Sequence, residues 1–165
     1  MKRLQAKHKG TFMRALSLAE AVAIVEATFA KATELKLRPL AAMVLDAGGR
    51  PKVFMKQDGA SLMRYEISYG KAFAALAMGR SSKMVLQKSR EKPMFMQNLI
   101  ELADGPMFLE GGGQLIRDPG GEVVGAIGVT GDVNETDDAS AIAGIHACGF
   151  KTDDDFGDRE ANVKK

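Results

Sequence analysis

The chain has 165 residues, 45% of them hydrophobic, and a formal net charge of +2. This is enough for one domain with its own core, and the near-neutral charge gives no electrostatic case for nucleic acid. No apolar run approaches the length of a membrane span, and the single cysteine, Cys148, leaves no partner for an intrachain disulfide and suits a reducing, cytoplasmic setting.

Charge is unevenly placed. Lys2, Arg3, Lys7, Lys9 and Arg14 make residues 1–14 basic, and no signal-type apolar core follows them. Asp153, Asp154, Asp155, Asp158 and Glu160 make residues 151–165 acidic. Both ends read as solvated, flexible extensions of a single domain at 15–150. The acidic end lacks a full calcium-loop pattern.

Ser17-Leu18-Ala19-Glu20 reads as a capping box. Leu18, Val22, Val25, Phe29 and Ala32 then recur at helical spacing, and Pro39 stops the helix near Lys36. The apolar run Leu40 to Leu45, the turn Asp46-Ala47-Gly48-Gly49 and a second extended stretch form an antiparallel hairpin. The next helix carries small residues, Gly70, Ala74 and Ala77, and meets its C-cap glycine at Gly79. Met84 to Ala103 reads as shorter helices broken by Pro93. Strands follow on both sides of Asp118-Pro119-Gly120-Gly121, and a last helix begins near Asn134 with carboxylates in its first turn. The predicted order is α-β-β-α-α-β-β-β-α. Short hairpin connections make this an α+β domain with helices on an antiparallel sheet.

The glycines of "EGGGQLIRDPGGEVVGAIGVTGD" invite a nucleotide-binding reading, but the pattern is wrong for one. Gly125 and Gly128 fall inside the strand, and no Gly-Lys-Ser or Gly-Lys-Thr follows. Strand glycines instead let a backbone, a helix or a flat ligand approach the sheet. Gly112, Gly113, Gly128 and Gly131 border such a space, and the turn from Gly131 to Asn134 offers N–H groups to a carboxylate.

Together, "LSLAEA", "VLDAGGRPKVFMKQDGAS", "KAFAALAMGRSS", "GGGQLIRDPGGEVVGAIGVTGD" and "DDASAIAGI" resemble the GlcG/HbpS family of haem-binding-protein-like domains. The same domain type ends some PduO-type cobalamin adenosyltransferases. The resemblance runs from about Ala15 to Phe150. It implies a profilin-like, three-layer α/β/α arrangement with a five-stranded antiparallel sheet, homo-oligomers, and haem binding in some members. It implies no established reaction. Two departures stand out: Gln57 precedes the Asp58-Gly59-Ala60 motif, and Asp132 follows Gly131 where a second glycine is usual, adding a carboxylate beside the expected pocket.

The residues nearest these motifs are the ligand-binding candidates: Asp58, Tyr65, Lys71, Gly112, Gly113, Arg117, Gly131, Asp132, Glu135 and His146. Lys71 opposite Asp58 reads as a structural ion pair, or as the reactive pair of an enzyme or accessory subunit acting on a small organic acid. Tyr65 and Tyr69, four apart, share a helix face. Haem takes an apolar slot and an axial His, Cys, Met or Tyr. His8 lies in the basic extension, and His146 falls with Ile142 and Ala143 on the apolar face of the last helix, as a partly buried histidine. No zinc spacing is present, so no metal site is expected. The open alternatives are a small-molecule-binding protein, with haem its possible cofactor, an enzyme, and a purely structural oligomer subunit.

Overall fold

The computed structural model describes residues 14–157. Its elements are α1 (Leu18–Glu34), β1 (Ala41–Asp46), β2 (Pro51–Lys56), α2 (Arg64–Met78), α3 (Ser82–Glu91), α4 (Pro93–Leu102), β3 (Gly113–Arg117), β4 (Val123–Thr130) and α5 (Asn134–Ala147), followed by a 3₁₀ turn at Asp153–Phe156. All pairings are antiparallel, in the order β2-β1-β4-β3.

Local chemistry explains most boundaries. Ser17 and Glu20 close the capping box on α1. The Asp46 carboxylate accepts from the N–H groups of Gly48 and Arg50 and so shapes the β1–β2 turn. Gly79, at φ 64°, supplies the left-handed cap of α2. Pro93 sits in the first turn of α4, where its missing N–H costs nothing.

Alternating strand residues feed two cores. Ala42, Val44, Ile127 and Val129 pack with Ile24, Val25, Ala141 and Ile145 from α1 and α5. Met43, Leu45, Leu115 and Ala126 pack with Ala72 and Ala75 of α2. Gly128 permits that second contact, because a Cβ there would stand 2.0 Å from the Ser68 carbonyl oxygen. The close approach expected of the strand glycines is therefore an approach of helix backbone to sheet.

The sheet has four strands, not the five expected. Of the three strands predicted before the last helix, two form; residues 106–112, which lead into β3, form none, and Phe108 N–H donates to the Gly70 carbonyl, 3.1 Å away. A proline and two glycines deny this stretch a regular ladder. Beyond its pairing with β4, β3 makes one isolated backbone bridge among the described residues, from Arg117 to Lys151. The acidic end also differs from a free tail as far as Gly157. Asp153 accepts from Arg117 Nε at 2.7 Å and from Ser81 N–H at 3.1 Å, and Thr152 is fully buried. The rest of both extensions, with His8, lies outside the described residues. No helix among the described residues is long and apolar enough to cross a membrane.

Candidate functional site

Lys71 does not meet Asp58. Its Nζ lies 3.0 Å from Asp137 Oδ2 and donates also to the Val129 carbonyl at 3.0 Å. The two side chains are 3% and 1% exposed, so the pair is sealed from solvent. Asp58 is exposed on the loop after β2. Gly112 lets α2 and α5 meet at this point. A Cβ on it would stand 3.0 Å from Lys71 Nζ and 2.4 Å from the Val129 carbonyl oxygen. Gly113 is held in the same way, its N–H donating to Ser82 Oγ at 2.7 Å.

The turn from Gly131 to Asn134 is occupied by the chain itself. Asp132 N–H donates to Asp137 Oδ1 and Val133 N–H to Asp132 Oδ1. The other Asp132 oxygen accepts from Arg38 N–H at 2.9 Å, the largest of the contacts that hold its carboxyl below the usual range. Arg117 is buried and spent on Asp153 and the Gly121 carbonyl.

His146 departs from the partly buried position expected of it. Its side chain is 42% exposed, with Nε2 2.8 Å from Asp155 Oδ2. Ala141, Gly144 and Ile145 carry the buried stripe of α5, and Gly144 touches α1 at Thr28 and Ile24. Tyr65 stacks edge-on against Phe54 (5.0 Å) and Tyr69 (6.3 Å) in the layer of α2. His146 belongs to α5 on the other face of the sheet, so the two do not share a slot.

A groove of about 860 Å³ opens between α3 and α5, over the beginning of β3. This is within the usual size of small-molecule sites. Met84, Leu86 and Ile142 supply apolar walls, Lys83 and Arg90 supply cations, and Glu91, Glu135 and Asp154 supply carboxylates at the same rim. Of the residues singled out from sequence, Glu135 alone lines it. On the floor, Asp138 Oδ1 accepts from Gly112 N–H and Gln114 Nε2, both at 2.8 Å. Asp138 Oδ2 has no hydrogen-bond partner among the described residues. Burial pushes the Asp138 carboxyl above the usual carboxylate range, against these hydrogen bonds and the more distant Lys71 and Lys83. The unpaired Asp138 oxygen faces a groove whose rim carries cations and carboxylates together.

Sequence reasoning missed Lys83, Arg90, Gln114 and Asp138. The α3 residues look like a solvated amphipathic helix. The available signal was Gln114, a polar residue opening an otherwise apolar strand, together with the doubled aspartate at 137 and 138. Haem chemistry finds one soft donor in the groove, the Met84 thioether, and no imidazole. Among the described residues, no three His, Cys, Asp or Glu side chains converge as a metal site.

The model of the family described as haem degrading protein HbpS-like matches residues 16–146. Among solved structures, the chain is similar to PduOC in a complex with haem, at 25% identity and a TM-score of 0.74, over 84% of this chain and 99% of that one. It shares its fold with protein ORFY of Klebsiella pneumoniae, at 23% identity and a TM-score of 0.73, over 85% of this chain and 94% of that one. HbpS has the same fold, at 24% identity and a TM-score of 0.72, covering 84% and 94% of the two chains. No curated protein matches the chain.

Proposed function

The chain belongs to the HbpS-like family, and from that premise we propose that it is a small-molecule-binding protein whose α3–α5 groove takes a flat, carboxylate-bearing ligand, with haem the first to test. The observation that carries this reading is the groove itself. Lys83 and Arg90 stand beside apolar Met84 and Ile142, over a buried carboxyl with one unpaired oxygen. Cations fit carboxylate groups, the apolar walls fit a ring face, and Asp138 orients an oxygen between them. Bound haem would bring a redox-active iron, for which Met84 is the soft ligand in the wall. The PduOC complex with haem supports the choice of ligand. The family resemblance adds a homo-oligomer to this proposal, and the single cysteine suits a cytoplasmic setting.

A haemin titration followed by Soret absorbance tests this, with Arg90→Glu, Met84→Ala and His146→Ala beside the parent. We expect a saturable shift, weakened by Arg90→Glu and altered in shape by Met84→Ala. An unsaturable shift that none of the three changes would overturn the haem assignment. The lack of an imidazole in the groove favours a second reading, in which a small organic acid binds the same cations. Stabilisation by dicarboxylates that Arg90→Glu removes would support it.

A further inference from the structure

Helix α4 is the least integrated part of the described fold. It packs against α3 and against no other helix or strand. Only Met96 of its ten residues is buried. Met94, Phe95 and Leu102 are 69%, 49% and 83% exposed, and Ile100 is 41% exposed. Phe95, Asn98 and Leu102 lie three and four apart, on one outward stripe with a single polar residue at its centre. A helix of this length is marginal in water without packing on its apolar face.

Its charges carry the second half of the argument. Lys92 precedes its N-terminus, with Lys88, Arg90 and the acid Glu91 in the last turn of α3 before it, and Glu101 and Asp104 sit at its C-terminus. No acid lies in the first turn and no base in the last. This is the reverse of what the helix dipole favours. The arrangement weakens an isolated helix but suits one that lies antiparallel to an identical helix. Each basic end then meets the partner's acidic end, and the two dipoles oppose.

We propose that α4 is a two-fold self-association seam, its occupant a second copy of this chain with the two helices antiparallel. With the axis near Asn98, Lys92 of one protomer faces Asp104 of its partner and Met94 faces Leu102. Asn98 pairs with its own symmetry mate, and a lone polar residue in such a seam fixes register. This inference deepens the oligomer part of the reading above and is independent of what the groove binds.

Sedimentation equilibrium on the parent, Leu102→Lys, Lys92→Asp and Asp104→Lys tests it, with circular dichroism to confirm folding. We expect the parent to be dimeric or larger, and each substitution to weaken association by roughly tenfold or more. The decisive arm mixes the Lys92→Asp and Asp104→Lys chains in equal amounts. Like charges face each other in either homodimer, but opposite charges face each other in the mixed one, so association should return on mixing. An oligomer that all three substitutions leave intact, or that mixing fails to restore, overturns the α4 seam and leaves the oligomer reading standing. A monomeric parent at every concentration overturns both.

Discussion

Replacing Lys71 with methionine separates a structural lysine from a reactive one. Lys71 Nζ makes two contacts at 3.0 Å, to Asp137 Oδ2 and the Val129 carbonyl, and both side chains of the pair are almost wholly buried. Methionine fills the stem volume but leaves the Asp137 carboxylate with one remaining donor, the Asp132 N–H. Removing one member of a buried pair costs about 3–5 kcal/mol, most of it from the charge left behind. For a domain of this size that corresponds to a fall in melting temperature of roughly 6–20 °C. Removing the second charge as well, in Lys71→Met with Asp137→Leu, should recover much of the loss, because two apolar groups of similar volume often replace such a pair at little net cost. Thermal melts and urea titrations of the two singles and the double give the coupling directly. A Lys71→Met protein as stable as the parent would refute the reasoning. It would mean that this contact does not hold α2 to α5, and would reopen Lys71 as a functional group.

Two predictions concern pH. Burial raises the Asp138 carboxyl above its ordinary 3.8, so what it adds to stability is complete below that value and is lost as pH rises through the folded one. Asp138→Asn keeps the acceptor for Gly112 and Gln114 and removes the ionisation. Its melting temperature should match or exceed that of the parent near neutrality, with the advantage gone below pH 3.8; a variant less stable near neutrality contradicts this. Asp155 has the opposite sign. The Thr152 N–H, and after it the His146 contact, hold its carboxyl down at about 2, with burial opposing. Its contribution is present above 3.8 and lost as pH falls towards 2. Asp155→Asn should therefore melt lower near neutrality, with the deficit closing over that interval; a deficit constant with pH would assign the loss to geometry and not to charge.

What sequence made legible was governed by local chemistry. The capping box at Ser17, the Asp46 turn, the Gly79 cap and the break at Pro93 each rest on contacts within a few residues, and each is found where the pattern places it. The misplaced partners are separated by long stretches of chain. Lys71 and Asp137 are 66 positions apart, and Arg117 and Asp153 are 36 apart. Asp58 was a reasonable partner for Lys71 because it lies nearby in sequence, but the antiparallel order brings the end of β4 and the start of α5 to Lys71 instead. The acidic end was read as solvated because three consecutive aspartates have no local use. One of them satisfies a buried arginine on the edge strand, and another braces His146.

The glycine-rich stretch shows the same division between local and distant causes. Its strand and turn content was readable, and so was the exclusion of a phosphate loop. Its purpose was not readable from the stretch alone, because it depends on α2. Gly112 and Gly113 bring the chain against Lys71 and Ser82, and this closes the end of the domain around a buried ion pair. Asp137 spends both oxygens inside, on Lys71 and the Asp132 N–H, while the next residue along α5, Asp138, keeps its second oxygen without a partner among the described residues at the groove floor. On the proposed reading, adjacent aspartates on one helix turn serve the fold and the groove separately. Substitutions at 137 should therefore register first in stability, and substitutions at 138 first in ligand affinity.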